Sequence, residues 1–121
     1  MLINPGTFAR LTTPTKETDV YKIYDLTVVD EEGEPIVTLS RTDLNPHKET
    51  RGHDHAGQIE TYYFWGEGEG RMILGEEPLE VGNGVRVDIP DGVFHKVINT
   101  GDKILSFYCT FNGAPGRPPT K

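Results

Sequence analysis

The chain's apolar residues come in short runs, each closed by glycine, proline, aspartate or asparagine. Residues 20–29 form one run, ended by Asp30-Glu31-Glu32-Gly33, and residues 35–44 form another, ended by Asn45-Pro46. Residues 60–65 set Thr61, Tyr62, Tyr63, Phe64 and Trp65 in a row, side chains that suit a pleated, half-buried surface. Further runs at 71–74, 85–89, 95–98 and 104–111 are divided by Gly75-Glu76-Glu77-Pro78, Val81-Gly82-Asn83-Gly84, Pro90-Asp91-Gly92 and Asn99-Thr100-Gly101-Asp102. Each divider is a turn by composition. No window repeats its apolar residues at the helical period, so the pattern predicts an all-β sandwich or barrel.

A chain of 121 residues has room for one domain with its own core, here 1–121. Its 14 glycines and 9 prolines favour turns over helices, and a Pro/Gly-rich tail at 112–121 is expected to hold no regular structure. The net charge of -7 opposes a phosphate-tracking groove, so nucleic acid is not expected as a partner. No apolar run is long enough to span a bilayer and no basic amphipathic stretch suits its surface, so no membrane is expected either. Residues 1–10 lack the basic and apolar regions of a signal peptide, and a cytoplasmic location is the expectation. Cys109 is the single cysteine, which rules out an intrachain disulfide and a cysteine-built zinc site; it reads as a small buried hydrophobe.

His53 and His55 are two apart, and on a strand such residues point to one face. Glu60 follows at the start of the next run, and His95 comes just after Pro90-Asp91-Gly92. Two or three imidazoles with a carboxylate form a site for a divalent first-row transition metal. A His-x-His pair alone is weak evidence, but two longer patterns add to it. One is His53-x-His55, four residues, Glu60. The other is Gly84, five residues, Pro90-x-Gly92, two residues, His95, three residues, Asn99.

On these residues the sequence resembles the cupin superfamily, from about residue 38 to 111. The second pattern agrees with the second cupin motif at every position. The first agrees at His53, His55 and Glu60, but His47 and Glu67 stand where that motif has glycine, which predicts a bulge or shifted turn in the hairpin after Trp65. The resemblance implies a double-stranded β-helix (jelly-roll) barrel with a metal inside, held by His53, His55, Glu60 and His95. Iron(II) or manganese(II) is the first expectation, and nickel, zinc or copper also suit the donors. Water or substrate would fill the remaining places of a six-coordinate ion.

If His53 and His55 face the lumen, strand parity puts Arg51 there too, as a fork for a carboxylate or phosphate. The same rule places Tyr62 beside Glu60, where both are candidates for proton transfer and Tyr62 also for substrate binding. On the last strand Ser106, Tyr108 and Thr110 share one face, making Tyr108 a third candidate for substrate binding. The other face, with Leu105, Phe107, Cys109 and Phe111, packs between sheets or subunits, and Leu105, Phe107 and Phe111 suggest a homodimer. Asn99 is read as satisfying backbone groups at the next turn, and His47 as a loop residue.

Two stretches, 50–55 and 60–63, together with His95 and 97–102, are similar to the cupin-type phosphoglucose isomerases of archaea. That likeness implies an isomerase or epimerase acting on a sugar or sugar phosphate, the metal holding the open-chain oxygens and stabilising an enediolate. A non-haem metal dioxygenase is the alternative, and a lyase or a non-catalytic sugar- or ligand-binding cupin is the third reading. In each, a small molecule is the partner.

Overall fold

The structure is a computed structural model and describes residues 14, 16–29, 32, 35–54 and 58–113. Nine strands and no helix occur among these residues. They are β1 (Lys16–Glu17), β2 (Tyr21–Val29), β3 (Pro35–Leu44), β4 (Gln58–Trp65), β5 (Glu69–Leu74), β6 (Glu77–Gly82), β7 (Arg86–Ile89), β8 (His95–Asn99) and β9 (Leu105–Gly113). His55 and residues 114–121 lie outside the described residues, while Asn112 and Gly113, expected in the irregular tail, belong to β9.

The strands form two antiparallel sheets. One has six strands in the order β1-β2-β3-β9-β4-β7, the other three in the order β6-β5-β8. Inner faces of both supply the core: Leu44, Tyr62, Phe64, Val87, Phe107 and Cys109 come from the larger sheet, Met72, Val81 and Val97 from the smaller. Alternation along single strands makes this work. In β8 the burial runs buried, half-buried, buried, half-buried, buried, so His95, Val97 and Asn99 turn inward together. This is the jelly-roll barrel that the turn spacing and motifs predict.

Three expectations are corrected here. Residues 77–82 form a strand, although their ends read as turns. β6 is an edge strand, and Glu77, Pro78 and Glu80 suit the edge while blunting the hydrophobic signal. The connection after Trp65 is not a hairpin, because β4 and β5 belong to different sheets. Residues 66–68 form the corner that carries the chain across. There a side chain at Gly68 would collide with the Ile104 carbonyl.

The third correction concerns β9. Its period is as expected and its apolar face packs between the sheets, but that face is not available to a second subunit and Tyr108 does not reach the lumen. Leu105, Phe107 and Cys109 are buried in the core of one chain, so Leu105 and Phe107 cannot form a dimer interface, and nothing is described of the Phe111 side chain. Tyr108 lies on the outer face, stacked on Trp65 with ring centroids 4.5 Å apart. The interior is an apolar core around a small site, so the apolar set takes the inside and the tyrosine is left out.

Candidate metal centre

The segment 50–53 leads to the site as extended chain pinned to β8. Thr50 donates its backbone N–H to the Val97 carbonyl at 2.9 Å, and its hydroxyl accepts from Val97 N at 3.0 Å. Two residues on, His53 and His95 form a single antiparallel bridge, each N–H donating to the other's carbonyl (3.1 and 2.9 Å). Residues so paired have their side chains on the same face. Gly52 makes the approach tight: its φ is +86°, and a Cβ there would stand 2.5 Å from the Phe94 ring. His47, where glycine was expected, itself adopts φ 62°, so the left-handed backbone is kept without the glycine.

Glu60 comes from the opposite sheet, on β4 between Phe111 of β9 and Ile89 of β7. Its carboxylate and the His95 ring are almost fully buried. His95 Nε2 is 2.8 Å from Glu60 Oε1 and 3.1 Å from His53 Nε2. One donor atom from each of the three lies within 4.8 Å of the others. Donors about 2.1 Å from one ion at right angles stand about 3 Å apart, so the two separations made by His95 suit neighbouring positions on one ion.

The hydrogen bonding of His95 sharpens the fit. Its Nδ1 lies 2.9 Å from the Val93 carbonyl, which can only accept, so Nδ1 carries the proton. In the neutral ring the Nε2 lone pair then aims at a carboxylate oxygen and a second imidazole nitrogen. Only a cation or a proton between them relieves that convergence, and a backbone carbonyl fixing the tautomer is the usual support of a metal-binding histidine. Burial works against a charge on His95, but Glu60, the Val93 carbonyl and the Asp54 charge outweigh it and raise its pKa above the ordinary 6.5. The residues present therefore suit a divalent metal.

A cavity of about 260 Å³ opens beside the donors. Tyr62 lines it, directly across from Cys109 on β9 and T-shaped to the His95 ring at 5.7 Å. Burial, then Cys109 and Glu60, push the Tyr62 hydroxyl well above its ordinary pKa, so it stays protonated. Arg51 also lines the cavity but is exposed at its rim. Strand parity assumed an extended chain through residue 52, and the positive φ of Gly52 breaks it. Tyr108 is absent from the cavity wall. The sequence reading missed Ser40 and Thr42 of β3, Thr50, and Tyr21 and Ile23 of β2, all of which line it. Alternation inward from Leu44 would have found Ser40 and Thr42.

The cupin domain family matches residues 40–111, well over half of the chain. No curated protein matches the sequence. Among solved structures, the Schizosaccharomyces pombe Cnp3 cupin domain aligns with a TM-score of 0.64 at 13% identity, over 75% of this chain and 64% of that one. A predicted oxalate decarboxylase of Thermotoga maritima aligns at 0.69 and 20%, over 93% of this chain and 99% of that one. The S161A mutant of Bacillus subtilis oxalate decarboxylase aligns at 0.73 and 22%, over 86% of this chain and 29% of that one. The chain thus spans less than two thirds of the first and of the last, and at these identities the likeness is one of fold. With the family match over both histidine-bearing segments and this shared barrel, the chain belongs to the cupin family.

Proposed function

We propose that the protein is a metal-dependent lyase that breaks a carbon–carbon bond next to a carboxylate in a small oxo-acid. The observation that supports this over the other readings is Tyr62, a protonated hydroxyl buried in the cavity against Glu60. Decarboxylation needs a proton donor at the carbon that loses carbon dioxide. Sugar isomerisation needs a base, and among the described residues lining the cavity Glu60, a metal donor in this reading, is the sole carboxylate.

His53, Glu60 and His95 would hold the ion, with His55 as the fourth ligand implied by the motif. The ion would supply Lewis-acid stabilisation of charge developing on the substrate carbonyl oxygen. The chain's own part follows from its side chains. Arg51 at the rim takes the acid group that does not react. Phe107, Cys109 and Ile23 keep that half of the cavity dry, so polar contacts inside it count for more. As carbon dioxide leaves, the bonding pair remains on the neighbouring carbon and its carbonyl. Tyr62 Oη donates its proton to that carbon, and the phenolate recovers one from water at the cavity mouth. The two oxalate decarboxylases among the similar folds are in keeping with this choice.

A second reading, isomerisation of a sugar or sugar phosphate, draws on the hydroxyls of Ser40, Thr42 and Thr50, which suit a polyol. A third, a non-haem dioxygenase, draws on the two-histidine, one-carboxylate donor set. The proposal also takes the protein as a cytoplasmic homodimer, with Fe(II) or Mn(II) as the metal. Protein loaded with Mn(II) or Fe(II) is offered 2- and 3-oxo acids and short dicarboxylates without oxygen, and carbon dioxide is measured. Release supports the proposal. Anaerobic turnover of fructose 6-phosphate, or oxygen uptake without it, would replace it with the second or third reading, and binding without turnover would make the protein a ligand-binding cupin.

A further inference from the structure

The metal-side cavity shares part of its wall with a neighbour. A second cavity of about 350 Å³ adjoins it, and Tyr21 and Arg51 belong to the walls of both. Lys16, Asp19 and Glu49 also line the outer one.

The charges of this outer space are unusual for the chain. In a sequence with 19 acidic and 12 basic residues, most described cations are held by a carboxylate. Arg41 is held by Asp43, Arg71 by Glu80, Arg86 by Asp88 and Lys103 by Glu67. Of the described residues, Lys16, Lys48 and Arg51 have no carboxylate partner, and Lys16 and Arg51 border the outer cavity. Lys16 Nζ lies 5.6 Å from the centre of the Tyr21 ring, and Arg51 lines the same cavity. Glu49 is neutralised by Lys96 at 2.8 Å, which leaves Asp19 as the single opposing charge against two cations. The segment carrying Arg51 is tied to β8 on either side, at Thr50 and His53, so its guanidinium projects from a fixed frame.

We propose that the outer cavity is a second subsite, which holds a distal oxyanion of a substrate whose other end lies against His53 and Glu60. The substrate is then a two-headed acid, with Arg51 and Lys16 gripping the far group and the Tyr21 ring against the stem between. The inference rests on the reading of the inner site as one for a small acid. A carboxylate and a phosphorus oxyanion share the recognising chemistry, so the test includes both.

Mn(II)-loaded protein is titrated calorimetrically with dicarboxylates from malonate to adipate, with monocarboxylates of the same lengths, and with 3-phosphonopropionate. At one length the second acid group should tighten binding by about tenfold or more over the matching monocarboxylate. Lys16→Met and Arg51→Met should each remove most of that ratio, and Asp19→Asn should increase it. All three side chains are exposed, and unchanged melting temperatures would show that the variants fold. The tighter of the phosphonate and its equal-length dicarboxylate identifies the distal group. If monocarboxylates bind but no second group adds more than about two-fold, or if the gain survives both cation variants, the subsite is refuted together with the role of Arg51, while the metal site and Tyr62 as its proton donor stand. If no acid of either kind binds the loaded protein, both fall together.

Discussion

His53 and His95 face each other across a lone antiparallel bridge with their Nε2 atoms 3.1 Å apart, yet His53 is exposed while His95 is 1% exposed. Losing metal and losing stability should therefore separate between them. His53→Ala is expected to lose its metal and to melt close to the metal-free parent. His95→Ala is expected to lose metal and also to melt several degrees lower. It empties a buried space beside Glu60, and breaking a buried ionic pair costs about 3–5 kcal/mol. The second motif alone suggested a strand-end position outside the core, for which stability would be untouched; the burial of the ring reverses that expectation. Elemental analysis with scanning calorimetry reads both quantities, and full metal content in either variant would remove that residue from the ligand set.

Acid should weaken metal binding through His95. Its pKa is raised, since Glu60 and the Val93 carbonyl outweigh the opposing burial, and a bound ion must displace the proton on Nε2. Affinity for Mn(II) should rise by about tenfold per pH unit for this one proton, then level off once pH exceeds the folded-state pKa. The metal-free protein should show the opposite trend. A raised folded pKa gives stability that is complete below the unfolded value near 6.5 and fades as pH climbs through the folded one. The melting difference between parent and His95→Gln, both metal-free, should accordingly be largest below pH 6.5 and shrink above it. A difference that grew with pH would contradict the placement of the proton.

Tyr62→Phe removes one oxygen from the cavity and none of the metal donors. Metal content should be unchanged, and carbon dioxide release should fall by about 10²–10⁴-fold if the hydroxyl is the proton donor. The alkaline limb of the rate profile should disappear with it, because the raised phenol pKa sets that limb. A variant slowed less than about tenfold, with the limb intact, would mean that the hydroxyl only packs.

The convergence of His53, Glu60 and His95 was legible in the sequence because its evidence is a count of residues between chemically scarce side chains. His53 and His95 meet through one bridge between their backbones, and Glu60 reaches them from β4 of the other sheet. The barrel was legible for a similar reason, as short apolar runs and turns alternate. What stayed hidden depended on direction. β9 alternates as expected, yet no local signal says which of its faces looks inward, and so Tyr108 was placed in the lumen. Arg51 does line the cavity, but at its rim, because a positive φ at Gly52 breaks the strand parity that would have set it deeper. Ser40 and Thr42 carry no signal of their own, since small hydroxyls serve equally on a surface or a cavity wall.

Gly52 offers a test of how rigidly His53 is delivered. Gly52→Ala would hold a side chain at φ +86°, with its Cβ 2.5 Å from Phe94. Strain of this backbone kind costs about 1–3 kcal/mol before any clash. The variant should melt lower and bind metal more weakly, as the chain before His53 shifts. Adding Phe94→Ala, at an exposed ring, should recover the part due to the clash and leave the backbone part. Metal affinity equal to the parent's in the single variant would show that the bridge between His53 and His95 holds the ligand without help from Gly52.

Asn99 shares the second motif with His95 and the inward face of β8, but its hydrogen bonds point to a different duty. Its Nδ2 donates to the Leu44 carbonyl at 3.0 Å and to the Lys103 carbonyl at 2.8 Å, while Oδ1 accepts from Gly101 N at 3.0 Å. It ties the end of β3 to the turn between β8 and β9, as the sequence reading expected of a residue there. Asn99→Ala leaves these buried groups without partners, at about 1–3 kcal/mol for each that water cannot reach. Asn99→Asp keeps the acceptor but brings a charge to a site that is 1% exposed, so it should destabilise as well. Denaturant unfolding should show both losses while the folded variants still bind one metal ion per chain. Loss of metal from a variant that unfolds at the parent's midpoint would instead put Asn99 in the site's own support.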